Sequence, residues 1–263
     1  MTESPKTALI TGASSGIGKA LATEFAKGGY DLVLAARSVD KMQTLANELT
    51  QRHKIRVTVI GADLESLDGA ARLYADVQAR AIRLSALVNN AGFGTFGEFK
   101  DTALESAQGM MQLNIQSLVV LTKLFLPDLI ASRGKVLNVA STAAFQPGPF
   151  MAVYYATKAF VLSFSEAIAA ELAPHGVTVT ALCPGPTVSG FQDKAVMQDS
   201  ALVKGKSLPT SEEVAAKGYR AFKRGQRVYI PGSMNWLLAQ SVRFTPRNVV
   251  TALVTQMSKP KAH

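Results

Sequence analysis

The sequence predicts an α/β fold, a single domain with a doubly wound parallel sheet of about seven strands and helices on both faces. Two observations lead to this prediction. Short apolar runs rich in β-branched residues alternate with longer segments whose apolar residues recur at i, i+3 and i+4. Several of the short runs are apolar throughout, as expected for strands buried on both faces, and the crossovers between them should be right-handed.

The predicted strands and helices alternate along most of the chain. The strands are residues 6–11, 31–36, 55–62, 86–89, 135–140, 177–183 and 227–230. The helices are residues 17–28, 38–53, 66–83, 102–132 and 154–173. No linker, low-complexity tract or fixed-period repeat interrupts this order, so we expect one domain over residues 1–263. Residues 184–209 are rich in Pro, Gly, Ser and charge, and we expect a substrate lid near 186–209.

Composition excludes several classes of protein. Hydrophobic residues make up 48% of the 263 residues and charged residues 18%, which excludes a disordered or fibrous chain. The chain has one cysteine, Cys183, so it cannot form an internal disulfide. Its three histidines are scattered along the sequence, so a histidine-built zinc site is excluded and no metal is expected. The sequence has no long uninterrupted apolar run and no basic start followed by an apolar segment, so we expect a cytoplasmic protein.

The net charge of +9 is concentrated near the end of the chain, where residues 191–263 hold 12 Lys/Arg against 4 Asp/Glu. We favour a solvated basic surface; the alternative is attraction to an anionic substrate carrier or a membrane surface. The basic residues are not interleaved with aromatics, so no nucleic-acid partner is expected. Residues 236–238 and 249–257 could form interfacial helices on a membrane, but we favour a role in covering the sheet edge or a subunit contact.

A glycine-rich turn follows the first strand, in residues 11–18, which read T-G-A-S-S-G-I-G. Glycines between a strand and a helix are typical of dinucleotide binding. Gly12 permits the tight turn, Gly16 lets a pyrophosphate approach the backbone, and Gly18 allows close packing of the helix on the sheet. Free N–H groups at the helix start then face the phosphates. The predicted cofactor contacts in this turn are Gly12, Ser14, Ser15, Gly16, Ile17 and Gly18.

At this turn the chain resembles the short-chain dehydrogenase/reductase family, and the likeness continues through further motifs in the family's order. These motifs are Asn89-Asn90-Ala91-Gly92, Asn114, Ser141, Tyr154-x-x-x-Lys158 and Pro184-Gly185. The resemblance spans residues 6–191. It implies a Rossmann-like fold and an oxidoreductase that interconverts a carbonyl and an alcohol.

Four residues carry the catalytic prediction: Asn114, Ser141, Tyr154 and Lys158. Tyr154 and Lys158 lie four apart, hence on one face of a predicted helix, and a nearby ammonium with an oxidised nicotinamide would favour the phenolate. Lowering a tyrosine pKa from about 10 to about 7 takes roughly 4 kcal/mol. Tyr155 also reaches Lys158 by helical spacing, and the family spacing selects Tyr154. The resemblance implies that Tyr154 exchanges the proton and Lys158 holds the nicotinamide ribose. It also implies that Ser141 binds the carbonyl oxygen and that Asn114 holds a helix bend and a proton-relaying water.

The residues expected at the adenine ribose favour NADP(H) over NAD(H). A carboxylate about 20 residues past the glycines would bind the NAD ribose, whereas Arg37 stands nineteen residues after Gly18. Its planar guanidinium suits a 2′-phosphate; the alternative is a solvated arginine that opens the next helix. The resemblance adds cofactor contacts from Asp63, Leu64, Asn89, Ala91, Gly92, Tyr154, Lys158, Pro184, Gly185 and Thr187.

A small lipophilic substrate is predicted from the apolar and aromatic residues that follow the cofactor strands. The predicted pocket residues are Phe93, Phe96, Phe145, Phe150, Val188 and Phe191. The function that follows is an NADP(H)-dependent oxidoreductase acting on a carbonyl or secondary alcohol; the alternative is a nucleotide-binding sensor without turnover. Helices 102–132 and 154–173 are apolar on more than one face, so we expect a homodimer or homotetramer.

Overall fold

A computed structural model describes residues 6–188 and 208–259 and centres on a parallel sheet. Its strands are β1 Thr7–Thr11, β2 Asp31–Ala36, β3 Val57–Gly61, β4 Ala86–Asn89, β5 Lys135–Val139, β6 Thr178–Leu182 and β7 Val228–Tyr229. Their order in the sheet is β3-β2-β1-β4-β5-β6-β7, so the chain winds from β1 to one edge and then from β4 to the other. The predicted fold class is therefore confirmed, and every predicted strand is present.

The helices of the described residues follow the predicted order and extend it. They are α1 Gly16–Lys27, α2 Val39–His53, α3 Gly69–Ala79, α4 Leu104–Met111, α5 Leu118–Ala131, α6 Ala152–Leu172, α7 Ser211–Lys223, α8 Ser233–Ser241 and α9 Arg247–Ser258. One correction concerns the predicted helix 102–132, which begins later and contains a π-helical turn, Gln112–Ser117, between α4 and α5. A second correction shortens the predicted helix 66–83 to α3, because residues 63–68 form a hydrogen-bonded loop instead.

Helix α7 was not predicted, although its start carries a recognisable signal. The Thr210 hydroxyl accepts a hydrogen bond from the Glu213 N–H at 3.2 Å, and the Glu213 carboxylate accepts one from the Thr210 N–H at 3.3 Å. This capping box satisfies two backbone groups that the helix itself leaves unpaired. Beyond it, Val214 and Phe222 are buried in the same apolar cluster as α1. Helix α7 therefore completes the layer on that face of the sheet.

Alternation along the strands explains why these runs are apolar throughout. On β1, Ala8 and Ile10 belong to the core on one face, whereas Leu9 belongs to the core on the other. Each of the three side chains is fully buried. A central parallel strand has helices above and below it, so neither set of alternating side chains meets water. The carboxyl ends of the strands then meet at one edge, where the glycine turn and the family motifs lie.

The continuous helical segment Leu104–Ala131 has the length and apolar composition of a membrane-crossing helix. Half of an 18-residue apolar window within it is buried in this structure. Its inward side chains Leu121, Phe125 and Leu129 are at most 1% exposed and pack in the core of the sheet. Burial against the protein's own sheet thus explains the apolar character of its inward side.

Candidate active site

The glycine-rich turn joins β1 to α1 at the centre of the sheet. Gly12 has a φ of +65°, a conformation that side-chain-bearing residues rarely adopt. A Cβ on Gly18 would overlap the Gly12 carbonyl oxygen and crowd the Asn90 amide, so only glycine allows α1 to begin this close to the sheet. Ser15 precedes α1 without capping it through its side chain, which leaves the first-turn N–H groups open to a ligand. All six residues predicted in this turn line the cleft.

The end of β4 is tied to this turn through Thr11. The Thr11 hydroxyl accepts hydrogen bonds from the Asn90 and Ala91 N–H groups, each at 3.0 Å. The Asn90 amide in turn donates to the Thr11 carbonyl at 2.9 Å. Ala91 and Gly92 line the cleft as predicted, and Asn90 does so as well.

Asn89 requires a correction, because the structure does not bring it to the cleft. Its side chain is buried, and its amide nitrogen donates to Thr122 Oγ1 at 3.0 Å and to Asn138 Oδ1 at 2.9 Å. The Asn138 amide continues this network to the Ser165 hydroxyl at 2.9 Å. Asn89 therefore links β4, β5, α5 and α6 beneath the site, where buried polar groups need mutual partners.

The end of the cleft near β2 carries charge of both signs. Arg37 lines it, and its guanidinium lies 2.8 Å from the carboxylate of Glu65. Both side chains retain contact with water, so a phosphate could reach the arginine. Asp63 and Leu64 line the same end as predicted. The loop that carries them is held by the Ser117 hydroxyl, which donates to the Leu64 carbonyl at 2.6 Å.

Asn114 lies buried in the π-helical turn, and unlike the other three predicted catalytic residues it does not line the cleft. Its amide oxygen accepts from the Phe93 N–H at 3.1 Å, and its amide nitrogen donates to the Phe93 carbonyl at 3.0 Å. The same nitrogen donates to Thr157 Oγ1 at 3.0 Å, and the Thr157 hydroxyl donates to the Tyr154 carbonyl at 2.7 Å. The widened turn thus aims a buried amide between the loop after β4 and the start of α6.

Ser141, Tyr154 and Lys158 all line the cleft, at its inner end. Ser141 follows β5, and its hydroxyl accepts from the Ala143 N–H at 3.1 Å and donates to the Pro184 carbonyl at 3.4 Å. Tyr154 and Lys158 lie one turn apart on α6, with the Lys158 ammonium 5.8 Å from the centre of the Tyr154 ring. The Lys158 Nζ donates to the Val139 carbonyl at 2.8 Å. The end of β5 and helix α6 thus bring these three side chains to one end of the cleft.

Burial controls the protonation of this cluster in the cofactor-free protein. Desolvation raises the pKa of Tyr154 to about 12, although a hydrogen bond between the Ser141 and Tyr154 hydroxyls acts in the opposite direction. Desolvation lowers the pKa of Lys158 to about 8. Burial has the largest effect on the Tyr154 pKa and raises it, so the expected value near 7 is not a property of this state.

The loop after β6 forms one wall of the cleft. Pro184, Gly185 and Thr187 line it, as predicted. The Thr187 hydroxyl donates to the Gly185 carbonyl at 2.9 Å, and the Pro184 carbonyl accepts from the Thr142 N–H at 2.9 Å. The loops after β5 and β6 are thereby held together. Most of the predicted lid near 186–209 lies outside the described residues, since these stop at Val188 and resume at Leu208.

The cleft has a volume of about 910 Å³, and most of the aromatic residues predicted to line it lie elsewhere. Phe93 lines it. Phe96 and Phe150 do not; their rings stack on each other at 6.0 Å, and Phe150 borders a separate cavity of about 160 Å³. Phe145 packs into the apolar core beside β6, and Val188 is largely exposed. Phe191 lies outside the described residues.

Residues from α8 and α9 line the cleft where those phenylalanines were expected. They are Met234, Asn235, Leu238 and Ala239 from α8 and Met257 from α9. Met151 and Tyr155 from the region of α6 complete the apolar wall. The apolar repeat of residues 249–257 signals that a helix forms, but which surface that helix covers depends on contacts distant in sequence.

Comparison with known proteins places this geometry in a family. The short chain dehydrogenase model matches residues 6–200. Very-long-chain 3-oxoacyl-CoA reductase-B of Danio rerio is 33% identical over 189 residues, and 17-beta-hydroxysteroid dehydrogenase type 3 of Mus musculus is 36% identical over 183 residues. These matches cover 68% and 67% of this chain, and the chain spans 58% of the length of each relative.

Two solved structures extend the likeness over nearly the whole chain. A short-chain dehydrogenase from Sphingobium yanoikuyae in complex with NADPH has a TM-score of 0.81 at 30% identity and covers 98% of both chains. A bulky-bulky ketone specific alcohol dehydrogenase from Comamonas testosteroni has a TM-score of 0.78 at 29% identity, covering 100% of this chain and 98% of its own. With these matches and its site geometry, the chain belongs to the short-chain dehydrogenase/reductase family of oxidoreductases.

Proposed function

We propose that this protein is an NADPH-dependent reductase of ketones carried on bulky lipophilic molecules. The observation that carries the proposal is the convergence of Ser141, Tyr154 and Lys158 at the inner end of one large cleft that also holds the glycine turn. A sensor that only binds nucleotide has no need for a half-buried tyrosine and a buried lysine beside a serine hydroxyl. The same cleft therefore offers a place for cofactor and substrate together.

The described residues fit a dinucleotide with a 2′-phosphate. The glycine turn lets α1 begin close to the sheet, and the uncapped start of α1 suits a pyrophosphate. Arg37 would hold the 2′-phosphate, and Lys158 the nicotinamide ribose. When bound, this cofactor supplies the hydride that reduces the carbonyl carbon.

Residues of the chain itself would bind the carbonyl oxygen and protonate it. The Ser141 and Tyr154 hydroxyls bind that oxygen, and the Tyr154 phenol gives it a proton as the carbon receives hydride, so the product is an alcohol. A pKa of about 12 keeps Tyr154 protonated at neutral pH, as a proton donor must be. Oxidation would run through the same groups in reverse, with the Tyr154 phenolate as the base.

Proton resupply follows from the neighbouring lysine. Lys158, with a pKa of about 8, can hold or release a proton near neutral pH. Asn114 fixes the start of α6 through Thr157 and so sets the position of Tyr154. We propose a positioning role for Asn114 and assign the exchanged proton to Tyr154.

The walls of the cleft support a large apolar substrate. Phe93, Met151, Met234, Leu238 and Met257 line it together. Apolar walls with a few convergent hydroxyls favour lipophilic ligands with one polar reacting group. The names of the relatives, which include a hydroxysteroid dehydrogenase, a 3-oxoacyl-CoA reductase and a bulky-ketone alcohol dehydrogenase, support the same class.

Assembly and location form a further part of the proposal. Exposed apolar side chains on the helices that were expected to be apolar all round, namely Leu104, Met111, Val120 and Phe160, support a homodimer or homotetramer. We propose a cytoplasmic location, because the one cysteine is free and buried and needs no oxidising compartment.

A panel of ketones graded in size tests the proposal. NADPH oxidation is followed by absorbance with small, medium and steroid-sized ketones, and NADH serves as the matched control. We expect the catalytic efficiency with NADPH to rise with ketone size and apolar area. If the protein binds NADPH tightly but no ketone causes NADPH oxidation, the proposed enzymatic function is contradicted and the nucleotide-binding sensor is favoured.

A further inference from the structure

The exposed apolar surface of this protein is concentrated in its C-terminal helices. Trp236, Leu237 and Leu238 on α8 are each more than half exposed, and Phe244 in the turn Val242–Phe244 is 85% exposed. On α9, Leu253 and Met257 are about half exposed. These six residues are called the C-terminal apolar face. Exposed apolar side chains grouped in this way mark a surface that meets another apolar phase.

Helices α8 and α9 also bury other side chains against the rest of the protein. Ala239 of α8 is buried in the core, as are Val250 and Ser258 of α9. Val254 packs against the cluster that contains Met151 and Tyr155. The outward apolar residues are therefore additional to those that dock the helices.

The segment of the chain that carries this face has charge of one sign. Residues 214–263 contain no Asp or Glu and hold nine Lys/Arg. Three of these cations, Arg243, Arg247 and Lys259, belong to the turn and helix that carry the face, and none forms an ion pair among the described residues. Trp, Phe and Leu beside unpaired cations are the composition of helices that lie in the interface of a membrane.

The charge also distinguishes between two possible occupants. A second copy docked through the same face would bring together two surfaces that both carry Arg243, Arg247 and Lys259, and like charges would oppose the contact. An anionic bilayer would attract all three cations while burying the tryptophan and leucines. The observations therefore favour a lipid surface over a second copy.

The C-terminal apolar face adjoins the rim of the cleft. Leu238 and Met257 belong to both the face and the lining of the cleft. Met234, one turn before Leu238, lines the cleft and is exposed as well. The rim of the cleft is thus continuous with the exposed apolar surface.

We propose that α8, the turn Val242–Phe244 and α9 dock on anionic lipid bilayers, with the rim of the cleft against the lipid. A lipophilic molecule dissolved in the bilayer would then reach the cleft without crossing water. The docking itself is independent of the proposed function; only the route of the substrate rests on it.

Trp236 is the single tryptophan of the chain, so its fluorescence reports on this face alone. The full chain is mixed with vesicles of phosphatidylcholine, with or without phosphatidylserine, and both emission and co-flotation are measured. We expect a blue shift and flotation with the anionic vesicles, reduced by added salt. Absence of both effects with anionic vesicles would overturn the proposal.

Variants separate the electrostatic contribution to docking from the apolar contribution. Arg243→Gln and Arg247→Gln should each weaken binding to the anionic vesicles roughly five-fold, and Phe244→Ser should weaken it further. Leu67→Ser is the matched control, because Leu67 is 88% exposed and lies far from α8 and α9 in the chain. NADPH titration shows that each variant is folded. Arginine variants that bind as tightly as the parent would overturn the role of charge.

The same samples test the alternative occupant. A blue shift that grows with protein concentration in the absence of lipid, together with a dimer mass that Phe244→Ser abolishes, would assign the face to a second copy and overturn the proposal. A spectrum that is independent of protein concentration, with a shift only on anionic vesicles, would support it.

Discussion

Replacing Lys158 with methionine should change how the stability of the protein depends on pH. The Lys158 side chain is 6% exposed, and its Nζ donates to the Val139 carbonyl at 2.8 Å. Desolvation lowers its pKa from an ordinary value of 10.5 to about 8. The folded protein therefore resists protonation at a group that the unfolded chain protonates readily.

The sign and magnitude follow from proton linkage. Below about pH 8 both states carry the proton, and the folded state bears the full penalty of a buried charge. As pH rises through the folded pKa, the folded state loses its proton first, so stability increases until the unfolded lysine also titrates. At about 1.4 kcal/mol per pH unit between the two pKa values, wild type should gain roughly 3 kcal/mol relative to Lys158→Met between about pH 7 and about pH 10.5.

Denaturant unfolding of both proteins at several pH values measures this difference. Titrating groups that do not interact with Lys158 cancel in the comparison, whereas Cys183, which interacts electrostatically with Lys158, does not, and Cys183→Ala in both proteins removes its contribution. The lost hydrogen bond to Val139 adds an offset to the difference and not the predicted rise with pH. Lys41→Met, at an exposed position on α2, is the control and should show no such trend. A difference that stays constant with pH, or one that falls as pH rises, would refute the reasoning about a desolvated lysine.

Three further predictions concern the cofactor and the carbonyl site. Arg37→Ala should weaken NADPH binding by about 1–3 kcal/mol and barely change NADH binding, as measured by fluorescence titration; equal losses would contradict a 2′-phosphate contact. Glu65→Gln should tighten NADPH but not NADH in the same titration, because the carboxylate that now lies 2.8 Å from Arg37 competes with the phosphate; weaker NADPH binding would show that Glu65 orients the arginine instead. Ser141→Ala should lower turnover about 10²-fold with NADPH affinity unchanged, because it removes a hydroxyl beside Tyr154 and raises that tyrosine's pKa further; unchanged turnover would place the carbonyl elsewhere.

The fold was predictable because its signals are local. Each strand is a short apolar run, and β1 illustrates why the run is continuous, since Ala8 and Leu9 face opposite cores. The glycine turn was equally readable, because Gly12 and Gly18 are required by backbone geometry within the turn itself. Helix α7 could have been found from its capping box, a four-residue signal.

Asn89 shows where motif reasoning stops. The sequence places two asparagines at the end of β4, but the phase of the strand decides which one faces the cleft. Asn89 is opposite Asn138 on β5 and bonds to it in the interior, while Asn90 reaches the glycine turn. Only the register of β4 against β5 settles that choice, and register is a property of the assembled sheet.

The substrate wall and the protonation state of Tyr154 could not be read from the sequence for a related reason. Phe96 and Phe150 follow cofactor strands, yet they stack on each other, and methionines and leucines from α8 and α9 line the cleft instead. For Tyr154, the motif gives the neighbouring lysine but not the depth of burial, which dominates its pKa. Both properties arise from contacts between segments distant in the chain.

The central claim is that Tyr154 donates the proton to a carbonyl, and the paired variants Tyr154→Phe and Tyr155→Phe test it most directly. Both tyrosines line the cleft on adjacent positions of α6, so each variant removes one hydroxyl from the same environment. Turnover of a ketone with NADPH is measured beside NADPH affinity. Tyr154→Phe should lose roughly 10²-fold or more in turnover with nearly unchanged NADPH binding, and Tyr155→Phe should retain most of its activity. An active Tyr154→Phe beside an inactive Tyr155→Phe would contradict the claim.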